Sequence, residues 1–461
     1  MDESFLLNTE SAKELFNLFA KEEPIFDWHC HLSAKEIFEN KPADDLCELW
    51  LAGDHYKWRL MRGAGIDEKY ITGDAKPFEK FKAFAKALSL APGNPLFHWS
   101  HLELQRYFGI YDVLSEDTAE KIWKESKAKI QSGGFTPREL IERSNVFALC
   151  TTDDPSDSLE WHIKLRESGF PVMVLPAFRP DKAINAETHD FSAYLSALGS
   201  ASGIHIDSFE KLKDALKKRL LFFKSLGAVA CDQSVSSIPF APSDESEVEA
   251  VFQKLSKNEA VSDDALEKYK FALLSFLGKE YAKNGLAMEL HLGAMRNNNS
   301  RAFSALGADA GFDSIDDPQQ AQKLSRFLDA LDKESLLPKT ILFNLNPKDN
   351  FVLASMLGNF QSAEAESKLQ FGSAWWFNDN IDGMNAQLRA LANLGVLGCF
   401  VGMITDSRSF LSYPRHEYFR RILCNLLGSW VEDGLFPDDK KMLERIVRGI
   451  CFENSKNYFL N

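Results

Sequence analysis

Short apolar runs that stop abruptly at polar residues recur along this chain, and they limit its fold more than any other feature. They occupy residues 25–31, 146–152, 172–179, 228–233, 287–294, 341–346, 369–374 and 399–406. Each has strand length, and most intervals between them can hold a helix. Eight such strands with helical connections predict an α/β fold, a (β/α)8 TIM barrel with its chemistry at the C-terminal ends of the strands.

Two intervals are too long for a simple barrel. Residues 33–144 form a large insertion after the first strand, with helix-spaced apolar residues at 79–88 and 119–129 and a break at Pro92, Gly93, Asn94 and Pro95. The expected organisation is an N-terminal helix and first strand in 1–32, a helical insertion subdomain in 33–144, and the rest of the barrel in 145–461. A helical extension is expected near 235–285, including a helix through 269–281.

With 53 Lys and Arg against 67 Asp and Glu, the formal charge is −14. That argues against nucleic-acid or anionic-membrane surfaces, which need local positive charge. An anionic small molecule stays open, because a buried arginine pocket acts locally. The seven cysteines are widely spaced with no C-x-x-C, which favours a reducing compartment. The first residues are acidic, and the longest apolar run, 394–404, is too short for a bilayer. A soluble, cytoplasmic protein is expected. Large barrels often associate, so a homo-oligomer fits, though its size is not legible.

The first strand ends Asp27, Trp28, His29, Cys30, His31. Alternation puts both imidazoles on one face, where they can bind one metal ion. H-x-H alone is weak, and two partly buried histidines paired with neighbours would look the same. The last strand ends Thr405, Asp406, Ser407, Arg408. In a closed barrel the first and eighth strands are adjacent, so Asp406 would join His29 and His31. An Asp–Arg surface pair is the plainer alternative.

Other polar clusters end the remaining runs or lie in the insertion. His55 and Tyr56 sit in a charged, aromatic stretch that is either a solvated helix face or a reach onto substrate. Arg179 can fork onto a carboxylate or pair with Asp181. His291 could face the site or rest in the core. Arg296 and the asparagines after it suit sugar hydroxyls, and Asn346 closes the sixth run. Trp375 and Trp376 form a core wall or a rim that stacks on sugars.

Eight strings carry a specific resemblance: IFDWHCHL, GDHYKWR, NPLFHWSHLEL, TTDDPSDSL, FRPDK, LHLGAMRNNN, GSAWWFND and TDSRSFLSYPRHEYFRR. Running in order from about residue 25 to 421, they resemble the uronate isomerase (glucuronate isomerase) family of the amidohydrolase superfamily of distorted TIM barrels. The resemblance implies interconversion of D-glucuronate with D-fructuronate and of D-galacturonate with D-tagaturonate. It implies His29, His31 and Asp406 as metal ligands, and Tyr56 and Arg408 in proton transfer. It also implies His55 and Arg179 on the substrate and Trp375 and Trp376 as pocket wall. One departure stands out: where the family commonly reads Asp-His-Gly, this chain has Asp232, Gln233, Ser234.

The expected chemistry is proton transfer through a cis-enediol at one divalent ion. Zn²⁺ suits two imidazoles and a carboxylate, with Mn²⁺ and Fe²⁺ as alternatives. Tyr56 is a candidate base if Arg408 lowers its pKa, and Asp406 can move a hydroxyl proton. A metal-dependent hydrolase, an isomerase of another sugar acid, and a non-catalytic sugar binder suggested by Gln233 are the competing readings.

Overall fold

A computed structural model describes residues 1–461. Parallel strands β1 (Ile25–Asp27), β2 (Val146–Cys150) and β3 (Met173–Leu175) form one sheet in that order. A second parallel sheet runs β4 (Ala230–Val235), β5 (Ala287–Leu292), β8 (Thr340–Asn344), β9 (Leu369–Phe371). Between β5 and β8, β6 (Ala294–Met295) and β7 (Ser314–Ile315) pair as a small antiparallel ribbon. Apolar side chains of the strands, the surrounding helices and the insertion belong to one continuous core.

The strand ladders do not close into a barrel, and each interruption has a local cause. Pro176 follows β3 and has no N–H to give. The first sheet therefore meets the second only through Phe178, which bridges Asp153 on one side and Cys231 on the other. The expected eighth strand, 399–406, forms no ladder. It leaves a single 3₁₀ turn, Leu397–Cys399, and continues as irregular chain. Gly402, at φ +80°, passes so close to Ile450 that a Cβ would lie 2.2 Å from its carbonyl oxygen, and Asp406 sits at φ +45°. Neither conformation continues a strand.

Hydrogen bonds hold this segment beside β1 instead. The fully buried Asp27 carboxylate accepts from Thr405 N at 2.7 Å and Thr405 Oγ1 at 2.5 Å. Asp406 N donates to His29 O, and His31 N donates to Ser407 O. On the far side, Gln370 Nε2 donates to Cys399 O at 2.9 Å.

The insertion is helical, as its apolar spacing predicts. The segments at 79–88 and 119–129 lie in helices Pro77–Ser89 and Ala119–Ser132, and Asn94 and Pro95 open the next helix, Pro95–Phe108. Asp54 caps helix His55–Gly63, accepting from Tyr56 N and Lys57 N. The extension contributes helices Glu245–Leu255 and Asp263–Asn284. No helix is long and apolar enough to cross a membrane. All seven cysteines are free thiols, and all but Cys399 are buried.

A buried charge cluster joins the insertion to helix Pro414–Glu432. Lys57 pairs with Asp54 at 2.5 Å, and Glu103 lies buried near them. Burial pushes Glu103 up to about 7, against the pull of Lys57 and Arg415. Between its ordinary value of 4.5 and about 7, the folded chain holds a proton that the unfolded chain has lost. Stability therefore falls as pH rises through that window. Glu103→Gln is expected to raise the Tm at pH 8 and leave it nearly unchanged at pH 5. The same Tm change at both pH values would mean that Glu103 does not titrate there.

Candidate active site

β1 and the 399–406 segment bring three side chains together at their ends. Asp406 Oδ1 lies 3.3 Å from His29 Nε2 and 3.0 Å from His31 Nε2. The two imidazole planes stand at 86°. Asp406 reaches them through its left-handed backbone, a conformation that costs a non-glycine residue about 1–3 kcal/mol. Trp375 Nε1 holds its second oxygen at 2.9 Å.

The donor chemistry fits a divalent cation. Three lone-pair atoms this close repel one another unless positive charge lies among them. His29 Nδ1 meets Glu289 Oε2 at 3.1 Å; with the proton on Nδ1, the Nε2 lone pair is left facing Asp406. Burial lowers His31 to about 4, so its imidazole is neutral. Burial opposes charge on His29 too, but Asp232, Asp406 and Glu289 outweigh it and raise its pKa. For Asp406 burial is outweighed by His29 and His31, which hold the carboxyl well below its ordinary range. This negative nest retains one positive charge, whether proton or metal ion.

A second group shares His29. His291 Nδ1 lies 2.7 Å from Asp232 Oδ1, and the ligand atoms of His29, Asp232 and His291 converge. The His291 ring stacks on Phe343 at 4.1 Å and 6°. Arg179 Nη1 reaches Asp232 Oδ2 at 2.9 Å, while its Nε donates to Asp181 at 2.8 Å. Arg179 thus pairs with Asp181, as one of its two sequence readings has it, and also lines the cavity.

That cavity has a volume of about 840 Å³. His29, His31, Asp406, His291, Arg179 and Arg296 line it, as do His55, Tyr56, Arg408, Trp375 and Trp376. A second cavity of about 540 Å³ opens on the other side of His31, His55, Tyr56, Asp406 and Arg408. Trp376 packs against His55 at 5.5 Å and stacks with Tyr56 at 6.4 Å, so insertion and strand loop form one wall. Asn346 stands apart. Its amide donates to Asp316 O and its carbonyl caps Lys348 N, so it ties down a turn and does not line the cavity.

Two expectations change. The guanidinium over the Tyr56 ring belongs to Arg415, 5.8 Å from the centroid, whereas Arg408 bonds Asp309. Burial, with Asp406 adding to it, drives the Tyr56 pKa well above its ordinary value despite Arg415, so Tyr56 rests as a phenol. Gln233 also falls outside the site. Asp232 and Ser234 turn inward by strand alternation, and buried Gln233 points the other way, its Nε2 donating to Tyr281 OH at 3.0 Å. Gln233 in place of His therefore leaves the cavity lining unchanged, whereas Ser234, where the family commonly has Gly, adds its side chain to that lining.

Sequence reasoning missed Glu289, Asp232 and Arg415. The first two had a signal, since each lies two residues from an inward-facing neighbour on its strand. Arg415 gave none. It is buried in helix Pro414–Glu432, donates to Thr405 O at 3.0 Å and stacks on Trp99 at 4.0 Å.

Comparison with known proteins agrees along the whole chain. The family model described as UxaC: Glucuronate isomerase matches residues 1–459. A uronate isomerase of Clostridium acetobutylicum is 54% identical over 460 residues, covering 100% of this chain and 98% of that protein. One from Bacillus licheniformis is 50% identical, covering 100% and 97%. The crystal structure of uronate isomerase from Thermotoga maritima superposes with a TM-score of 0.94 at 36% identity, covering 100% of this chain and 99% of that one. That of glucuronate isomerase from Caulobacter crescentus gives 0.93 at 27%, covering 100% and 97%.

If Glu289 orients His29 as a ligand, Glu289→Gln should weaken divalent-cation affinity by about 10–100-fold. Competition against a chromophoric chelator measures this. Unchanged affinity would leave Glu289 with a packing role only.

Proposed function

The chain belongs to the glucuronate isomerase family and is an isomerase, and from that premise we propose that it interconverts D-glucuronate with D-fructuronate and D-galacturonate with D-tagaturonate. The observation that carries the proposal is the convergence of His29, His31 and Asp406 in a cavity also lined by Tyr56, Arg179 and Arg408. We read the two sheets and the 399–406 segment as a distorted (β/α)8 barrel opened at Phe178 and at the closing segment.

His29, His31 and Asp406 would hold one divalent ion, with Zn²⁺ the best match to two imidazoles and one carboxylate. When bound, the ion would polarise the substrate carbonyl and neutralise the Asp406 charge that opposes a Tyr56 phenolate. Tyr56, having given its phenol proton to solvent, takes the C2 proton, exchanges it in part with solvent and delivers a proton to C1 on the same face. Asp406 moves the hydroxyl proton from O2 to O1, so that a cis-enediol forms and then collapses to the ketose. Arg415, facing the Tyr56 ring, stabilises the phenolate. Arg179, fixed by Asp181 and Asp232, and His55 hold the sugar acid, while Trp375 and Trp376 exclude water.

Turning inward-facing polar groups into a hydrolase would need a water-attack geometry that no observation here favours, and Gln233 no longer argues for a non-catalytic binder.

Incubation with D-glucuronate or D-galacturonate should yield the ketose, and in D₂O the product should carry solvent deuterium at C1. Solvent deuterium at C1 excludes a direct hydride shift, and no ketose from either uronate would end the proposal. Tyr56→Phe is expected to lower turnover at least about 10²-fold with an unchanged Tm. Near-normal turnover would remove Tyr56 from the relay.

A further inference from the structure

The relay above starts from an open-chain aldehyde, whereas a uronate in water is mostly a closed hemiacetal ring. Before C2 can lose its proton, the C1–O5 bond has to break, O5 has to gain a proton and the C1 hydroxyl has to lose one. No group of the relay supplies the proton for O5.

Asp153 lines the same cavity as His29, His31 and Asp406 and has no part in the relay. The end of β2 is fastened to the chain between the two imidazoles. Cys30 N donates to Cys150 O at 2.9 Å, and Thr152 Oγ1 donates to Cys30 O at 2.7 Å, one residue short of Asp153. On the other side, Asp153 N donates to Ala177 O, and Asp153 O accepts from Arg179 N. The backbone that presents this carboxyl is therefore held from both flanks.

The carboxyl is also the end of a buried line of polar groups. Oδ2 accepts from Thr151 Oγ1 at 2.6 Å, and Thr151 Oγ1 lies 2.8 Å from His162 Nε2 on helix Glu160–Glu167. Burial lowers His162 to about 4 against the pull of Asp157, so its imidazole is neutral. With the proton on Nε2, His162 donates to Thr151 and Thr151 donates to Asp153. Oδ1 is left without a hydrogen-bond partner in the protein, on a side chain that is 13% exposed. Burial pushes the Asp153 carboxyl up to about 7 despite the bond from Thr151, so near neutrality it has a proton to give.

We propose that Asp153 opens the substrate ring, as the general acid that protonates O5, and that the protein therefore exchanges the anomers of its sugar acid as well as isomerising it. This rests on the sugar-acid reading above and deepens it. The Asp153 proton passes to O5 as the C1–O5 bond breaks, with the bonding pair going to O5. Asp406 takes the proton of the C1 hydroxyl, whose O–H pair becomes the second bond of the aldehyde carbonyl. Ring closure, at C1 in the aldose or at C2 in the ketose, returns both protons.

Freshly dissolved D-glucuronate rich in one anomer relaxes to the α–β equilibrium, and ¹H NMR follows the relaxation. Metal-replete parent and Tyr56→Phe, the latter blocked at C2, should both speed it above the rate in buffer. Asp153→Asn, which keeps an acceptor for Thr151 and has no acid proton, should cut the catalysed part in the Tyr56→Phe background at least about 10²-fold. A second measurement separates this role from a structural one. With Asp153→Asn alone, conversion of glucuronate should stop rising with enzyme concentration once it reaches the spontaneous opening rate. Inorganic phosphate, which catalyses mutarotation, should lift that ceiling. Conversion that stays proportional to enzyme and indifferent to phosphate would overturn the proposal and make Asp153 structural. So would anomer exchange by parent and Tyr56→Phe no faster than in buffer, or exchange that Asp153→Asn leaves intact. Ketose formation by the parent decides the isomerase reading separately: ketose without catalysed anomer exchange sinks only ring opening, and anomer exchange without ketose sinks only the isomerase.

Discussion

The buried Asp27 carboxylate sets the register on which the rest of the site depends. Both of its oxygens are spent on Thr405, one on the backbone N–H and one on the hydroxyl. His29 follows Asp27 by two residues, and Asp406 follows Thr405 by one. A carboxylate buried away from water must be satisfied, and here the segment that satisfies it carries the third candidate ligand. The closing segment has no strand ladder, so this side-chain clamp does the work that ladder hydrogen bonds do elsewhere. Arg415, bonded to Thr405 O, grips the same point from the helix that follows.

Charge in the site is arranged in layers around that clamp. Glu289 and Asp232 lie beneath the imidazoles, and Arg179 balances Asp232 from the cavity side. Tyr56 stands above, in a wall made with His55 and Trp376. The insertion therefore supplies more than a cover. Its Asp54 cap orients the first turn of the helix bearing Tyr56, and Lys57 in the next position is buried against that same cap.

Much of this was legible because strand chemistry is periodic. The alternation at His29 and His31 and the polar ends of the apolar runs pointed to one face and one end of the sheets. What the sequence hid was set by contacts distant along the chain. Nothing near Arg415 marks it as the cation facing Tyr56, and nothing near Arg408 marks its partner as Asp309. The eighth run reads as a strand by hydropathy, yet the tight passage of Gly402 past Ile450 and the left-handed turn at Asp406 override it. Asn346 looked like a sugar contact because it ends a strand, but it is used up in capping a turn. Gln233 looked consequential because it replaces a titratable residue, but strand alternation turns it to the Tyr281 side.

The clamp joins residues from near the two ends of the chain, and that has a bearing on synthesis. His29 and His31 leave the ribosome early, whereas Asp406 emerges only when most of the polypeptide is already outside. A nascent chain therefore displays an imidazole pair without its carboxylate, a weak and promiscuous chelator. With the metal centre proposed above, selective, tight capture of an ion would wait until the last segment docks on Asp27, so loading would be tied to completion of the fold and a truncated product would be left without a competent centre.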